Sequence, residues 1–312
     1  MPDLLLERGI GETRIVRIEK GDIVEARILL DETVPAGTRL EARLTQHGTP
    51  AIAIVDDTGY LLPKGAPGIA EGGSLMIEVT RESIPGAEPW KRPMAKAVDD
   101  SPSEAKIDGA RIPFPAPGDP LEEAGWSDLL EEARSGIVRF AGGELRISVT
   151  PAMTLIDVDG QLPADQLAAA GVEAAAQTIR RHGIGGSIGI DLPTVAGKSK
   201  RQQIGEALDA ILPQPFERTS VNGFGFLQVV RPRRHASLFE LAADRPAFEA
   251  RALLRRAARA TGAIRLAAHP AVVAVIEDRP AWIHALARQV GGAISLRTDA
   301  SLPISGGHAE PA

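Results

Sequence analysis

Three aspartates stand where apolar β-type runs stop: TLIDVDG brings Asp157 and Asp159 in after Ile156, and GSIGID ends on Asp191. A hard divalent cation such as Mg²⁺ takes a few oxygen ligands, usually one or two of them carboxylates, and keeps waters for a phosphate substrate and for attack. Two strand-terminal aspartates bridged by one helix can reach a common point, and open α/β sheets place their sites at the carboxyl ends of strands. The same residue type also ends strands as a turn former or a helix N-cap. Holding a metal is one reading of Asp157 and Asp191; finishing strands is the other.

Basic residues follow two of these runs. VAGKSKR (195–201) contains GKS, but a phosphate loop of the GxxxxGK[ST] form needs glycine at position 192, where Leu192 stands, so ATP binding is not expected. Its Lys198, Lys200 and Arg201 can hold a phosphate chain near the acids, or they begin a solvated helix. RPRRH (231–235) ends the strand FLQVV. If the strands run parallel, Arg231, Arg233, Arg234 and His235 lie beside the acids and suit a phosphodiester; a solvated loop is the alternative. Arg251, Arg255 and Arg259, spaced four apart, read as the charged outer face of a surface helix. The six histidines (47, 182, 235, 269, 284, 308) show no ligand spacing, and no Ser, His and Asp constellation can be assembled from them.

The elements that must position these groups follow from periodicity. Residues 12–30 alternate around Gly21 and Asp22, a hairpin signal. Residues 38–82 continue in short β runs that suggest a small barrel. Pro85 to Pro120 is rich in Pro, Gly and charge and reads as a linker or an irregular crossing segment. WSDLLEEARSG (126–136) is a helix with Ser127 as N-cap and Gly136 as its stop. Period two returns in LRISVT (145–150) and MTLIDV (153–158). A helix over Ala164–Arg181 then presents Ala168, Val172, Ala175 and Ile179 on one face, and strand SIGID follows. A helix with Ile204, Ala207, Leu208 and Ile211 on one face ends before Pro213, and FGFLQVV (224–230) is a strand. This alternation is the signature of a doubly wound α/β unit. The last third repeats it: helix 246–260, strand AIRLAAH, helix AVVAVIEDR with an extension through AWIHALARQV, strand AISLR, and a frayed tail from Ser301.

Composition narrows the class. At 312 residues the chain has room for two or three units. It is 44% hydrophobic but only 4% aromatic, so the core is aliphatic. With no cysteine, disulfides, thiol nucleophiles, iron–sulfur clusters and cysteine-based zinc sites are excluded, and a cytoplasmic setting fits. No run resembles a signal peptide or a membrane span, so the mature chain is expected to start at Met1 and no membrane partner is expected. A net charge of −6 argues against indiscriminate polyanion binding but leaves room for local basic patches.

Taken in order, these pieces resemble a shortened form of the bacterial ribonuclease E/G endoribonucleases, over most of the chain. ETRIVRIEKGDIVEARI is similar to the family's opening β segment, which begins a ribonuclease H-like subdomain. GTPAIAIVDDTGYLLP and EGGSLMIEVTRE are similar to its S1 RNA-binding barrel. MTLIDVDG, GIGGSIGIDLPTV and FGFLQVVRPRR match three strands of its catalytic subdomain. The resemblance implies a ribonuclease H-like segment (1–35) and a reduced S1-like β-barrel (36–90). It places a linker with the rest of the ribonuclease H-like region at 91–144. A doubly wound catalytic α/β subdomain (145–237), a small C-terminal α/β domain (238–300) and a tail (301–312) complete an α+β chain. Asp157 and Asp191 are implied as ligands of catalytic Mg²⁺, with Mn²⁺ as the alternative metal. Asp159 is a third catalytic residue where the family has an asparagine that orients the first aspartate. Arg231, Arg233, Arg234, Lys198, Lys200, Arg201 and Tyr60 are implied contacts to single-stranded RNA, which the family hydrolyses to leave a 5′-phosphate on the downstream product.

Three departures accompany the match. The region before Trp126 is too short for the family's 5′-monophosphate sensor. The S1 aromatic position carries Ile54, with only Tyr60 nearby. The paired cysteines that share zinc between subunits are missing, so no zinc and no zinc-linked tetramer are expected, while a homodimer stays open. A non-catalytic RNA-binding relative is the alternative to an enzyme.

Overall fold

A computed structural model describes residues 3–86, 91–114, 116 and 118–312. Alternating apolar residues fold the N-terminus into a meander of β1 (Asp3–Arg8), β2 (Glu12–Glu19) and β3 (Asp22–Leu30). Lys20 and Gly21, with φ of 55° and 93°, supply the two left-handed residues of the tight turn between β2 and β3.

β4 (Arg39–Gln46), β5 (Ala51–Val55), β6 (Thr58–Leu62), β7 (Ser74–Arg81) and β8 (Met94–Val98) close a barrel in the order β4-β5-β6-β8-β7. The closing strand β8 lies beyond the barrel boundary at residue 90, inside the stretch read as a linker. Its Lys and Ala residues carry little strand signal, and pairing with β7, Met76 opposite Val98, creates the strand. Residues 87–90 of that stretch lie outside the described residues. The two-residue strand β9 (Ala110–Arg111) returns to pair in parallel with β1.

α1 (Pro120–Glu123) and α2 (Trp126–Ser135) follow. Gly125, in the left-handed region, precedes α2 in place of the expected Ser127 cap, while Gly136 stops it as expected, with φ of 69°. Then come β10 (Ile137–Phe140), β11 (Gly143–Val149), β12 (Thr154–Gly160), α3 (Ala164–Arg181), β13 (Gly186–Asp191), α4 (Lys198–Ile211), β14 (Glu217–Arg218) and β15 (Phe226–Arg231). Their six strands form one sheet in the order β10-β11-β12-β13-β15-β14.

This sheet corrects the doubly wound expectation. Only β12 and β13 run parallel; every other neighbouring pair is antiparallel. The strands explain why. On β12, Thr154, Ile156 and Val158 are buried while Leu155, Asp157 and Asp159 are exposed, the pattern of a strand with one wet face. α3 and α4 pack together over the buried face, and the other face is left to carry chemistry. α3 also meets β3, so Val16, Ile23, Ala26 and Ile28 share one core with Trp126, Leu129, Ala175 and Ile179.

The C-terminal part contains α5 (Leu238–Ala243), α6 (Arg245–Ala257), β16 (Ile264–Ala268), α7 (Pro270–Glu277), α8 (Pro280–Val290), β17 (Ile294–Thr298) and β18 (His308–Pro311). α5, which the periodicity did not suggest, starts with a capping box between Ser237 and Glu240. α7 and α8 are separate because Pro280 cannot continue the preceding helix. The expected frayed tail is ordered: β18 pairs antiparallel to β16, Leu266 opposite Ala309.

The arginine stripe on α6 is not a solvated face. Arg255 donates to Glu7 (3.0 Å) and Asp119 (2.7 Å), Arg251 to Glu32 (3.1 Å), and Arg259 pairs with Asp119 (2.8 Å). Arg14, itself buried, also donates to Glu7 (2.9 Å). The stripe ties α6 to the N-terminal sheet and the start of α1. Burial raises the Asp119 carboxyl, but hydrogen bonds from Arg255 and the Glu122 amide outweigh it and leave it below the usual range. Among the described residues no helix is long and apolar enough to cross a membrane.

Candidate active site at the carboxyl ends of the parallel pair

Asp157 and Asp191 are register partners across β12 and β13, which puts their Cα atoms about 4.8 Å apart, the spacing of neighbouring strands. A side chain's face is set by its place in the strand, and both project on the exposed face away from α3 and α4. The Asp157 carboxyl is pushed above the usual range, first by burial and then by the negative charges of Asp159 and Asp191; an amide hydrogen bond and Arg146 pull the other way. Arg146, the register partner of Asp157 on β11, does not outweigh burial and the neighbouring like charges.

Asp159 sits one side-chain repeat further along β12, opposite Glu144 on β11, where β13 has already ended. It leans toward Arg146, with 3.7 Å between Nε and a carboxylate oxygen. Among the described residues no group of three or more His, Cys, Asp or Glu side chains converges as a complete metal cage. The donor set available at the strand ends is the aspartate pair, which fits Mg²⁺ in its usual mode of one or two carboxylates with the remaining positions left to water and phosphate.

The basic residues divide between the two ends of the sheet. Residues 192–197 lead from Asp191 directly into α4, so Lys198, Lys200 and Arg201 stand at the acid end. Lys200 is bound to Asp165 at 2.6 Å and Arg201 donates to the Val195 carbonyl at 3.1 Å. Lys198 is exposed in the first turn of α4. Arg231, Arg233 and Arg234 do not join them. β15 is antiparallel to β13, so Arg231 is opposite Gly186 and Phe226 is opposite Asp191; five strand steps separate the two ends by about 17 Å. Arg233 is further engaged in an ion pair with Glu240.

Tyr60 is not at a surface. It points into the barrel at 2% exposure, packed among Ala51, Ala53, Leu62 and Ile77, and burial followed by the Asp56 charge raises its phenol pKa. A ring in that core cannot stack a base. The alternation that buries Tyr60 turns Ile52, Ile54 and Leu61 outward, partly exposed.

One residue at the acid end escaped the motif reading. Phe224 is 85% exposed on a turn that is well fixed. Asn222 Oδ1 accepts from the amides of Phe224 (2.9 Å) and Phe226 (3.0 Å), Thr194 Oγ1 donates to the Phe224 carbonyl (3.3 Å), and the Leu192 amide donates to Gly225 (3.3 Å). Gly225 has φ of 94°, and a Cβ there would meet the Leu192 carbonyl oxygen at 2.1 Å, so the turn requires glycine. Beside it, Phe226 and Leu155 close over Gly189, whose Cβ would meet them at 2.6 and 3.0 Å. An apolar strip thus borders the aspartates. The sequence signal was an aromatic between two glycines in a chain with only seven phenylalanines.

No protein-family model matches this chain, and no curated protein does.

Proposed function

We propose that this protein is a metal-dependent endoribonuclease that hydrolyses phosphodiester bonds of single-stranded RNA and leaves 5′-phosphate products, as members of the ribonuclease E/G family do. The observation that carries the reading is the register pairing of Asp157 with Asp191 where the one parallel pair of the six-stranded sheet ends, on its exposed face. The order of the three strand motifs, which resemble that family's catalytic subdomain, supports it. So does the five-stranded barrel order, since barrels of the OB type bind single strands.

In this reading Asp157 and Asp191 hold Mg²⁺ or Mn²⁺, which when bound supplies an activated water and neutralises charge developing on the phosphate. Water attacks phosphorus, the bond to the 3′ oxygen breaks, and that oxygen leaves as the 3′-hydroxyl. Lys198, exposed in the first turn of α4, is the acid-end cation available to the RNA backbone. Phe224 offers its free ring to a base, and the strip of Phe226 and Leu155 keeps water away from one flank of the pair. Asp159, held toward Arg146, orients the end of β12 and lies outside the ligand pair.

An end-labelled unstructured RNA incubated with Mg²⁺ or with EDTA tests this, with Asp157→Asn as the comparison. Cuts that vanish with EDTA and with the variant are expected, with RNA binding retained. Equal cutting by Asp157→Asn would overturn the metal role. Binding without cutting by the parent protein would leave a non-catalytic RNA-binding protein.

A further inference from the structure

The opposite end of the same sheet collects guanidinium groups around a cavity of about 330 Å³. It opens where the β2–β3 hairpin, the loop between α3 and β13, and residues 231–235 meet. Arg17, Arg27, Arg180, Arg231, Arg234 and His235 line it, and Glu25 is the one acidic residue in its wall.

Most of the available negative charge there is already spent. Glu25 is shared between Arg17 (3.1 Å) and Arg180 (2.8 Å), and Arg180 also takes Glu19 (2.9 Å). Arg27 pairs with Glu82, which also accepts from the Ala36 amide at 2.9 Å. Among the described residues Arg231 and Arg234 have no carboxylate within ion-pair distance; Arg231 Nη1 donates only to the Ile184 carbonyl, at 3.1 Å. Arg27 also carries a buried Nε with no hydrogen-bond acceptor.

For the half-buried Arg231 a guanidinium without a carboxylate at ion-pair distance is costly, because desolvation is not repaid by an adjacent opposite charge. Burial lowers the Arg231 pKa, and burial followed by the approach of Arg234 lowers that of Arg27 against the pull of Glu82. His235 is held neutral, at about 4, by burial first and then by Arg27 and Arg231, with its Nδ1 donating to the Ala236 carbonyl. The field in the cavity is positive and rigidly built. The loop that forms its floor cannot be widened by side chains: a Cβ on Gly183 would lie 2.9 Å from the His235 ring, and one on Gly185 would lie 2.9 Å from the Pro232 carbonyl oxygen.

We propose that this cavity is a binding site for a tetrahedral oxyanion, a phosphate group, gripped by Arg231 and Arg234 with Arg27 behind them. Guanidinium forks match the oxygen spacing of phosphate and bind it by paired hydrogen bonds. The site is separate from the aspartate pair and does not rest on the nuclease reading. The phosphate comes either from a free small anion or from a nucleic-acid backbone, and both present the same oxygens.

Calorimetric titration of the full chain with inorganic phosphate, at an ionic strength fixed with chloride, tests the proposal, followed by uridine 5′-monophosphate and a short oligouridylate without a terminal phosphate. Arg234→Gln is the main variant because Arg234 is exposed and its loss leaves the core intact; Arg231→Gln is the second. Lys106→Gln, which removes an exposed charge outside the cavity lining, is the control. Phosphate binding that weakens about tenfold in Arg234→Gln, the worth of a charged hydrogen bond, and is unchanged in Lys106→Gln is the expected result. Binding of inorganic phosphate but not of the oligouridylate assigns the site to a free anion, and competition by the oligouridylate assigns it to the backbone. No phosphate binding by the parent protein, or equal loss in Arg234→Gln and Lys106→Gln, overturns the proposal.

Discussion

The two ends of the six-stranded sheet are built from the same strands and carry opposite charge. At one end Asp157, Asp159 and Asp191 crowd together, and the Asp157 carboxyl is raised by burial first and then by the other two. At the other, Arg231 and Arg234 stand beside Arg27 with too few carboxylates to match them. Strand direction did the sorting. β12 and β13 run together, so Asp157 and Asp191 meet where their pairing ends; β13 and β15 run against each other, so the arginines ending β15 are carried away from Asp191. A charge excess left unpaired at a built surface marks where a ligand completes the electrostatics. Equally charged side chains elsewhere, such as Arg255, are completed within the chain and serve stability.

The sharpest break of this comparison is Asp191→Asn. Cleavage of unstructured RNA should fall by about a thousandfold or more, as expected when several kcal/mol of transition-state stabilisation is removed, with unchanged circular dichroism and RNA affinity. Arg255→Ala tests the other kind of charge: it removes a buried guanidinium that bridges the half-buried Glu7 and Asp119, leaving them to Arg14 and Arg259. Denaturant unfolding should report a loss of about 3–5 kcal/mol, where Arg234→Gln costs almost nothing. Phe224→Ala should weaken single-stranded RNA binding about tenfold, the worth of one base stacked on an aromatic ring, with Phe224→Trp restoring it in fluorescence anisotropy. The melting temperature should not move, since the ring is free in the unliganded protein.

The smallest effect is the most diagnostic. A carboxyl whose folded pKa is raised costs the folded state stability at any pH where it must be ionised. That cost disappears as pH falls through the raised value. Asp157→Asn should therefore raise the melting temperature slightly in EDTA near neutral pH, with the difference from the parent shrinking toward pH 4. A lower melting temperature for Asp157→Asn would mean that the acid end is not repulsive, and the contrast between the two ends would fail.

What the sequence by itself determined here is local. Period two followed by an aspartate located Asp191 at the end of its strand and Asp157 within β12, which runs on to Gly160, and one intervening helix of 18 residues, Ala164–Arg181, was enough to make their strands parallel neighbours. The apolar spacing within α3 and α4 and the glycine stop of α2 were legible for the same reason: each is written within one or two turns of chain. The tertiary structure decided everything that depends on a partner distant in sequence. β8 and β18 exist because of the strands they pair with. Tyr60 turned inward because the phase of a strand against its barrel is set by closure, and a slip of one residue would have exposed it. The arginines of α6 repeat at the spacing of a surface face, yet that spacing is the same for any face, and only the approach of Glu7, Glu32 and Asp119 made it an internal one. The direction of β15, which placed its arginines at the far end of the sheet and made a second charged site there, has no signature in the seven residues of FGFLQVV. A strand reads alike in both directions until its neighbour's hydrogen bonds choose one.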